Sequence, residues 1–419
     1  MKQPWWKTLL IAGLALTCGT AGRALENWPQ FRGPEGQGHA DEANLPVTWS
    51  AQHNVTWRTE LPGFGWSSPV IWGEQIWMTT ATEAGHSLRA LCVDKKSGKL
   101  LRDMEVFHRA IPVKINSKNS HASPTPVIEA GRVYVNFGAA GTACLATDTG
   151  RILWRSEELQ TDHKEGPGSS PMLYQNLLMQ AYDGTNTQFV AALDKQTGRV
   201  VWQTSRSGAK RANTDYNKAY STPLPVVVQG VEQLVVPGAD WVYGYAPLTG
   251  RELWRVGYHA FSTTPRPVTG HGLVYICTGF GTSELLAIRP DGQGDVTATH
   301  IAWRYAKKDA PKKPSLLLAG DELYLISDSG AVVCLDAKTG TEIWRQRLGG
   351  NFSASPIIAN GRIYFCSEEG KTSVLAAGRE FRLLATNELG ERIMASPAVS
   401  GAALFLRTDQ ALYRIENIP

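Results

Sequence analysis

The sequence predicts an all-β fold closed into a ring of repeated sheets, and three regularities predict it. A Ser-Pro, Thr-Pro or Pro-Ser step introduces a short apolar run at Pro69, Pro124, Pro171, Pro223, Pro265, Pro314, Pro356 and Pro397, roughly every 40 to 55 residues. A turn glycine is followed four residues later by Trp154, Trp202, Trp254 or Trp344. The two chain ends carry complementary fragments of one such unit. Together these specify an eight-bladed β-propeller of four-stranded antiparallel blades, closed by pairing of N- and C-terminal strands in one blade.

Each element follows from local chemistry. The unit from Lys313 to Trp344 reads PSLLLAG, DELYLISDSG, AVVCLDAKTG, TEIW. These are four short runs rich in Leu, Ile, Val and Tyr, bounded by turn residues. Proline at a strand's first position removes no ladder hydrogen bond, so the proline steps mark the innermost strands. The third turn recurs as DKKSG (Asp94 to Gly98), DKQTG (Asp194 to Gly198), PLTG (Pro247 to Gly250) and DAKTG (Asp336 to Gly340). There Asp accepts backbone hydrogens and Gly supplies positive φ. The tryptophan after it is expected to pack between neighbouring blades.

Two units depart from this pattern. Blade one has Arg102 at the tryptophan position, and blade five replaces the tight turn with RPDGQGDVTATH before Trp303. Asp291 and Asp295 in that loop lack the later glutamate of a hand-type calcium loop, so a solvated hairpin is expected. The chain ends at ALYRIENIP, one strand short of a blade, and VTWRTE (Val55 to Glu60) supplies an orphan strand near the start. Pairing the two leaves no exposed edge. A seven-bladed ring with one degenerate unit is the alternative.

Residues 1–24 combine Lys2 and Lys7 with an apolar stretch and small residues, which reads as a cleaved signal peptide. Residues 25–54 form an N-terminal arm, expected on the outside of the ring because Trp28, Phe31 and Trp49 argue against a free tail, and residues 55–419 form the propeller. Thr17 before Cys18 disfavours a lipid anchor there. No second apolar run is long enough to span a membrane. Removing the leader deletes Lys2, Lys7 and Arg23, so the formal charge falls from +4 to +1. A nearly neutral body gives no electrostatic reason for a nucleic-acid partner. Lys307-Lys308, Lys312-Lys313 and Lys210-Arg211 read as solvated loops or, alternatively, as contacts for an acidic partner. Cys92, Cys144, Cys277, Cys334 and Cys366 recur at equivalent strand positions, as small buried apolar residues do.

The longest connections, 103–122, 155–168 and 205–220, fall on the face where the innermost strands begin, and propellers bind at such a mouth. Trp66, Lys118, Asn119, His121, Arg211, Lys218, Tyr220 and Arg266 are the candidate ligand-binding residues there. Rings, amides and cations would suit an anionic or sugar-like ligand. The nine histidines show no HExxH pairing, and no GxSxG elbow or phosphate-binding GxxxxGK occurs. Neither a catalytic group nor a metal ligand set is expected.

The AxDxxTGxxxW units, with NWPQFRGPEGQG, GWSSPVIWG, HASPTPV, AYSTPL, LLAIRPDGQGDVT and GNFSASPI, resemble an exported bacterial family of PQQ-like (pyrroloquinoline-quinone-like) repeat propellers over Val55 to Pro419. The resemblance implies kinship with two groups: the propeller lipoprotein of the outer-membrane barrel-assembly machinery, which binds protein partners without chemistry, and quinoprotein alcohol dehydrogenases, which hold PQQ beside calcium. This chain has no adjacent cysteines for the dehydrogenases' vicinal disulfide, and its acids do not match their calcium ligands. The expectation is a non-catalytic, monomeric binding or scaffolding module, periplasmic or secreted, with no cofactor and with an envelope protein as partner. The alternatives are a PQQ-dependent dehydrogenase with calcium and an envelope enzyme acting on glycans or other polymers.

Overall fold

The computed structural model describes residue 1, residues 26–40 and residues 43–418; the expected signal peptide and Cys18 lie outside the described residues. Eight antiparallel sheets form the ring. Blade one runs Val70–Trp72, Gln75–Thr82, Ser87–Asp94 and Leu100–His108 from axis to rim, and blades two to seven repeat this order with innermost strands Val127–Glu129, Met172–Tyr174, Leu224–Val228, Val268–Gly270, Leu317–Ala319 and Ile357–Ala359. Blade eight takes Ala398–Ser400, Ala403–Arg407 and Ala411–Ile415 from the C-terminus, and its outermost strand is Val55–Glu60. Thr59 stands opposite Leu412 and Trp57 opposite Arg414. The seven-bladed alternative is thereby eliminated. Among the described residues no helix is long and apolar enough to cross a membrane.

The strand starts correct the proline reading at three blades. In blade two the strand follows Pro126 rather than Pro124, in blade five Pro267 rather than Pro265, and in blade six Ser315-Leu316 rather than Pro314. What recurs in register is the residue two positions before the strand's first residue, which is Ser or Thr in seven blades and Arg266 in blade five.

The third turns lock blades together. Asp194 Oδ1 accepts Gln196 N and Thr197 N at 3.0 and 2.8 Å, and Gly198 has φ +75°. A Cβ on Gly198 would lie 2.5 Å from the Trp154 ring, so that position needs glycine for both conformation and close approach. In five blades the indole donates to a carbonyl of the next blade's turn: Trp57 to Lys95, Trp154 to Lys195, Trp202 to Pro247, Trp303 to Ala337 and Trp344 to Gly378, at 3.0–3.2 Å. These five rings pack between blades as expected, although only Trp154 among them is buried. Arg102 supplies the same kind of bond in blade one, from Nη2 to Asp148 O.

Blade five breaks the series for a visible reason. Gly294–Asp295 of its long loop pairs in parallel with Trp254 and Arg255 on the outer edge of blade four, so the loop is an added edge strand rather than a solvated hairpin. Trp254 turns inward and donates to Gln233 Oε1 at 2.6 Å. Covering this edge removes a row of open backbone groups.

The N-terminal arm does not stay on the outside. Trp28 exchanges backbone bonds with Ile71 in blade one, Pro29 O accepts from Ile128 in blade two, Gln37 Oε1 accepts from Thr269 in blade five, and Gly38 and Ala40 bond Ile358 in blade seven. A segment that touches innermost strands on opposite sides of the ring crosses its axis. It then leaves beside blade seven, where Trp49 stacks on Tyr364 at 6.3 Å and Trp49 N donates to Asn387 Oδ1 at 2.8 Å. Trp28 and Leu45 are fully buried in a cluster with Ile71, Leu404 and Phe405, so burial of the aromatic residues outweighs the polar character of the segment.

Candidate functional site

The residues that precede the innermost strands form a hydrogen-bonded girdle. Ser68 N donates to Thr125 Oγ1, Thr125 N to Ser170 Oγ, Ser170 N to Thr222 Oγ1, Arg266 N to Ser315 Oγ, Ser315 N to Ser355 Oγ, Ser355 N to Ser396 Oγ and Ser396 N to Ser68 Oγ, all within 2.8–3.1 Å. The link that would run from Thr222 to blade five is absent because Arg266 has no Oγ. Its Nε donates to Pro223 O at 3.1 Å instead.

Above this girdle lies a cavity of about 660 Å³. Six girdle hydroxyls line it, together with Trp66, Tyr220, Phe261, Phe280 and Met394, and Phe31 of the arm. The arm thus closes the channel, and the mouth becomes a blind cup.

Ion pairs organise the rim. Glu368, in the turn between the second and third strands of blade seven, receives Lys118 Nζ at 3.0 Å, Lys313 Nζ at 3.1 Å, Ser353 Oγ at 2.6 Å and, more distantly, Arg392 Nη2 at 3.6 Å. Burial pushes the Glu368 carboxyl up, but the Ser353 hydroxyl and the lysines outweigh it and hold the group down at about 2. Lys313 also reaches Asp328 at 3.6 Å, and the nearly buried Lys218 reaches Glu165 at 3.3 Å. Arg392 lies 5.3 Å over the Trp66 ring, which meets Phe64 edge-on at 4.4 Å.

Of the eight candidates, Trp66, Lys118, Asn119, Lys218 and Tyr220 line the cup. Asn119 is fully engaged, donating to Glu165 O and Pro167 O while its Oδ1 accepts from Ser120 and Ser123. Tyr220 Oη donates to His163 O at 2.8 Å. His121, Arg211 and Arg266 stand away from the cavity wall. His121 bonds Val113 O across its own linker. Arg211 pairs with Asp240 through two bonds and lies 5.4 Å from the Tyr216 ring, bracing the rim. Arg266 is buried beneath the cup, where its Nη1 donates to Phe31 O at 2.7 Å and its Nη2 to Gln30 Oε1 at 3.3 Å. Burial pushes Arg266 down to about 9; Arg32, also buried, falls to about 9 through burial and then repulsion from Arg266. Both guanidiniums bond carbonyl or amide oxygens of the arm and inner strands.

Sequence reasoning missed Phe31, Lys313, Glu368 and the girdle hydroxyls. The hydroxyl before seven of the eight innermost strands was visible as a repeated Ser or Thr. The convergence of Lys118 and Glu368, 250 residues apart, carried no local signal.

A calcium-bound quinone needs several carboxylates or amides free to bind a cation. The two carboxylates that line the cup, Glu165 and Asp328, are each tied to a lysine, and among the described residues no three His, Cys, Asp or Glu side chains gather as a metal site. The five described cysteines are free and buried in separate strands. The donors present do not fit that group.

Comparison with known proteins agrees with the architecture. Solved structures with the same fold include a europium-containing methanol dehydrogenase, with a TM-score of 0.68, 10% identity and coverage of 92% of this chain and 90% of that one. The crystal structure of BamB from Moraxella catarrhalis gives a TM-score of 0.59 and 13% identity, over 86% of this chain and 99% of that one. In sequence, outer membrane protein assembly factor BamB of Legionella pneumophila (strain Paris) is 23% identical over 246 residues, 58% of this chain and 49% of the relative, so the match spans about half the relative's length. The family described as outer membrane protein assembly factor BamB matches residues 54–237 and 292–380, and the chain belongs to that family.

Proposed function

We propose that this protein is a non-catalytic propeller of the cell envelope that holds an envelope protein at the mouth of its ring. The observation that carries the reading is the blind cup rimmed by engaged ion pairs. Glu368 serves three cations, and Glu165 and Asp328 are each paired with a lysine, so that among the described residues no carboxylate lining the cup stands unpaired. Such a mouth is a rigid binding surface. Apolar side chains stand exposed around it: Ile111 and Val113 on the first long linker, Tyr216 on the third and Phe280 at the cup's edge. The family's description as an assembly factor fits a partner from the envelope assembly apparatus.

The reading is tested by placing a photo-crosslinking residue at Ile111, Tyr216 or Phe280 in cells, with Leu248 in the third turn of blade four as the control on the opposite face. Capture of a defined envelope protein from the mouth positions alone is expected. Equal capture from Leu248, or none from the mouth, overturns the reading. So would saturable PQQ and calcium binding by the purified protein with alcohol-dependent reduction of an artificial acceptor.

A further inference from the structure

We infer that the cup takes a carboxylate group carried on an apolar body, with the carboxylate seated on the girdle. This rests on the mouth being the binding site. A serine or threonine hydroxyl has one hydrogen to donate and lone pairs to accept. In the girdle each Oγ accepts the backbone N–H of the neighbouring blade. Ser355 also donates, to Ser315 Oγ at 3.0 Å. Ser68, Thr125, Ser170, Thr222 and Ser396 have no acceptor for their own hydrogens among the described residues, although they are 2–4% exposed and line the cavity. Buried hydroxyl hydrogens of this kind are satisfied by solvent or by a ligand. Five donors converging on one floor call for a group rich in acceptor oxygens.

Charge and shape narrow the class. Lys118, Lys313 and Arg392 share only Glu368 and Asp328, so the rim beside the cup has one cation in excess. Acceptors are scarce, because the carboxylates are paired and the Asn116 and Asn119 amides are already engaged, each donating to the neighbouring linker and accepting from its own stretch of chain. A sugar, which must donate as often as it accepts, finds few partners there. A carboxylate only accepts, and it finds hydroxyls below and lysines beside it. The walls of Phe31, Trp66, Tyr220, Phe261, Phe280 and Met394 suit an aromatic or aliphatic body. The carboxylate could end a partner chain or belong to a free organic acid.

Calorimetric titration of the purified protein with N-acetyl-phenylalanine, its C-terminal amide and glucose tests this. The acid should bind at least tenfold more tightly than the amide at low salt, with the advantage shrinking as salt rises, and glucose should not bind. Ser396→Ala should reduce the acid's advantage severalfold. Because that change also removes a link between blades, Lys313→Gln provides a second variant outside the girdle, expected to reduce the same advantage while its circular dichroism spectrum shows the β fold kept. A heptapeptide ending in phenylalanine that binds more tightly than the capped amino acid identifies a chain end; benzoate binding more tightly than either identifies a free acid. Equal binding of acid and amide, preferential binding of glucose, or no binding of any probe overturns the inference. If crosslinking at the mouth still captures a partner in that case, the scaffolding reading stands alone. Carboxylate preference without capture would leave this inference and remove that reading.

Discussion

Glu368 is 7% exposed and faces Lys118, Lys313, Arg392 and Ser353. Its carboxyl is held at about 2 against an ordinary value of 4.5, so its stabilising contribution is complete above pH 4.5 and fades as pH falls toward 2. Glu368→Gln should cost about 1 to 2 kcal/mol at neutral pH, after allowance for screening at the open rim. Acid titration of the melting temperature checks the sign: the wild type should lose its advantage over the variant between pH 4.5 and 2. The cysteines make a contrasting case. All five described ones are buried and free, and burial drives the thiols up, to about 12 for Cys92, Cys334 and Cys366. They should react with a thiol-specific reagent only at the rate of unfolding, and fast labelling of the native protein would contradict the structure. Both residue types were legible in unequal measure. The cysteines recur at equivalent strand positions, whereas Glu368 occupies a turn like many others until the ring brings Lys118 to it.

Between elements, a recurring join at the rim is an indole donating to the next blade's turn, with that turn's glycine against the ring. Trp154 is the most buried example of the docked rings, and Trp154→Ala should destabilise by about 3 kcal/mol. Arg102, which replaces the ring in blade one and lies nearer solvent, should cost about 1 kcal/mol when changed to alanine. Urea melts of the two variants give this order, and an equal loss would show that packing of the ring contributes little beyond its hydrogen bond. The turn chemistry and the tryptophan spacing were readable because both are local. The edge strand Gly294–Asp295 was not, since its parallel pairing with Trp254 and Arg255 depends on the neighbouring blade.

At the scale of the whole molecule, two segments distant in sequence complete the ring: Val55–Glu60 closes blade eight, and the arm before it closes the channel. Deleting residues 26–50 should lower the melting temperature by several degrees without abolishing the β fold, because Trp28, Leu45 and Trp49 leave a buried cluster while the girdle hydrogen bonds remain. Circular dichroism melts measure both outcomes, and an unchanged melting temperature would mean the arm is not docked. The sequence alone determined the number of blades, their four-strand plan, the turn chemistry and the mode of closure. Each follows from a repeat whose periodic apolar residues can be buried only by stacking copies side by side. Tertiary structure decided the path of the arm, the true register of the innermost strands, and which linker side chains face the cup, because those depend on contacts between residues up to 374 positions apart that no periodicity encodes.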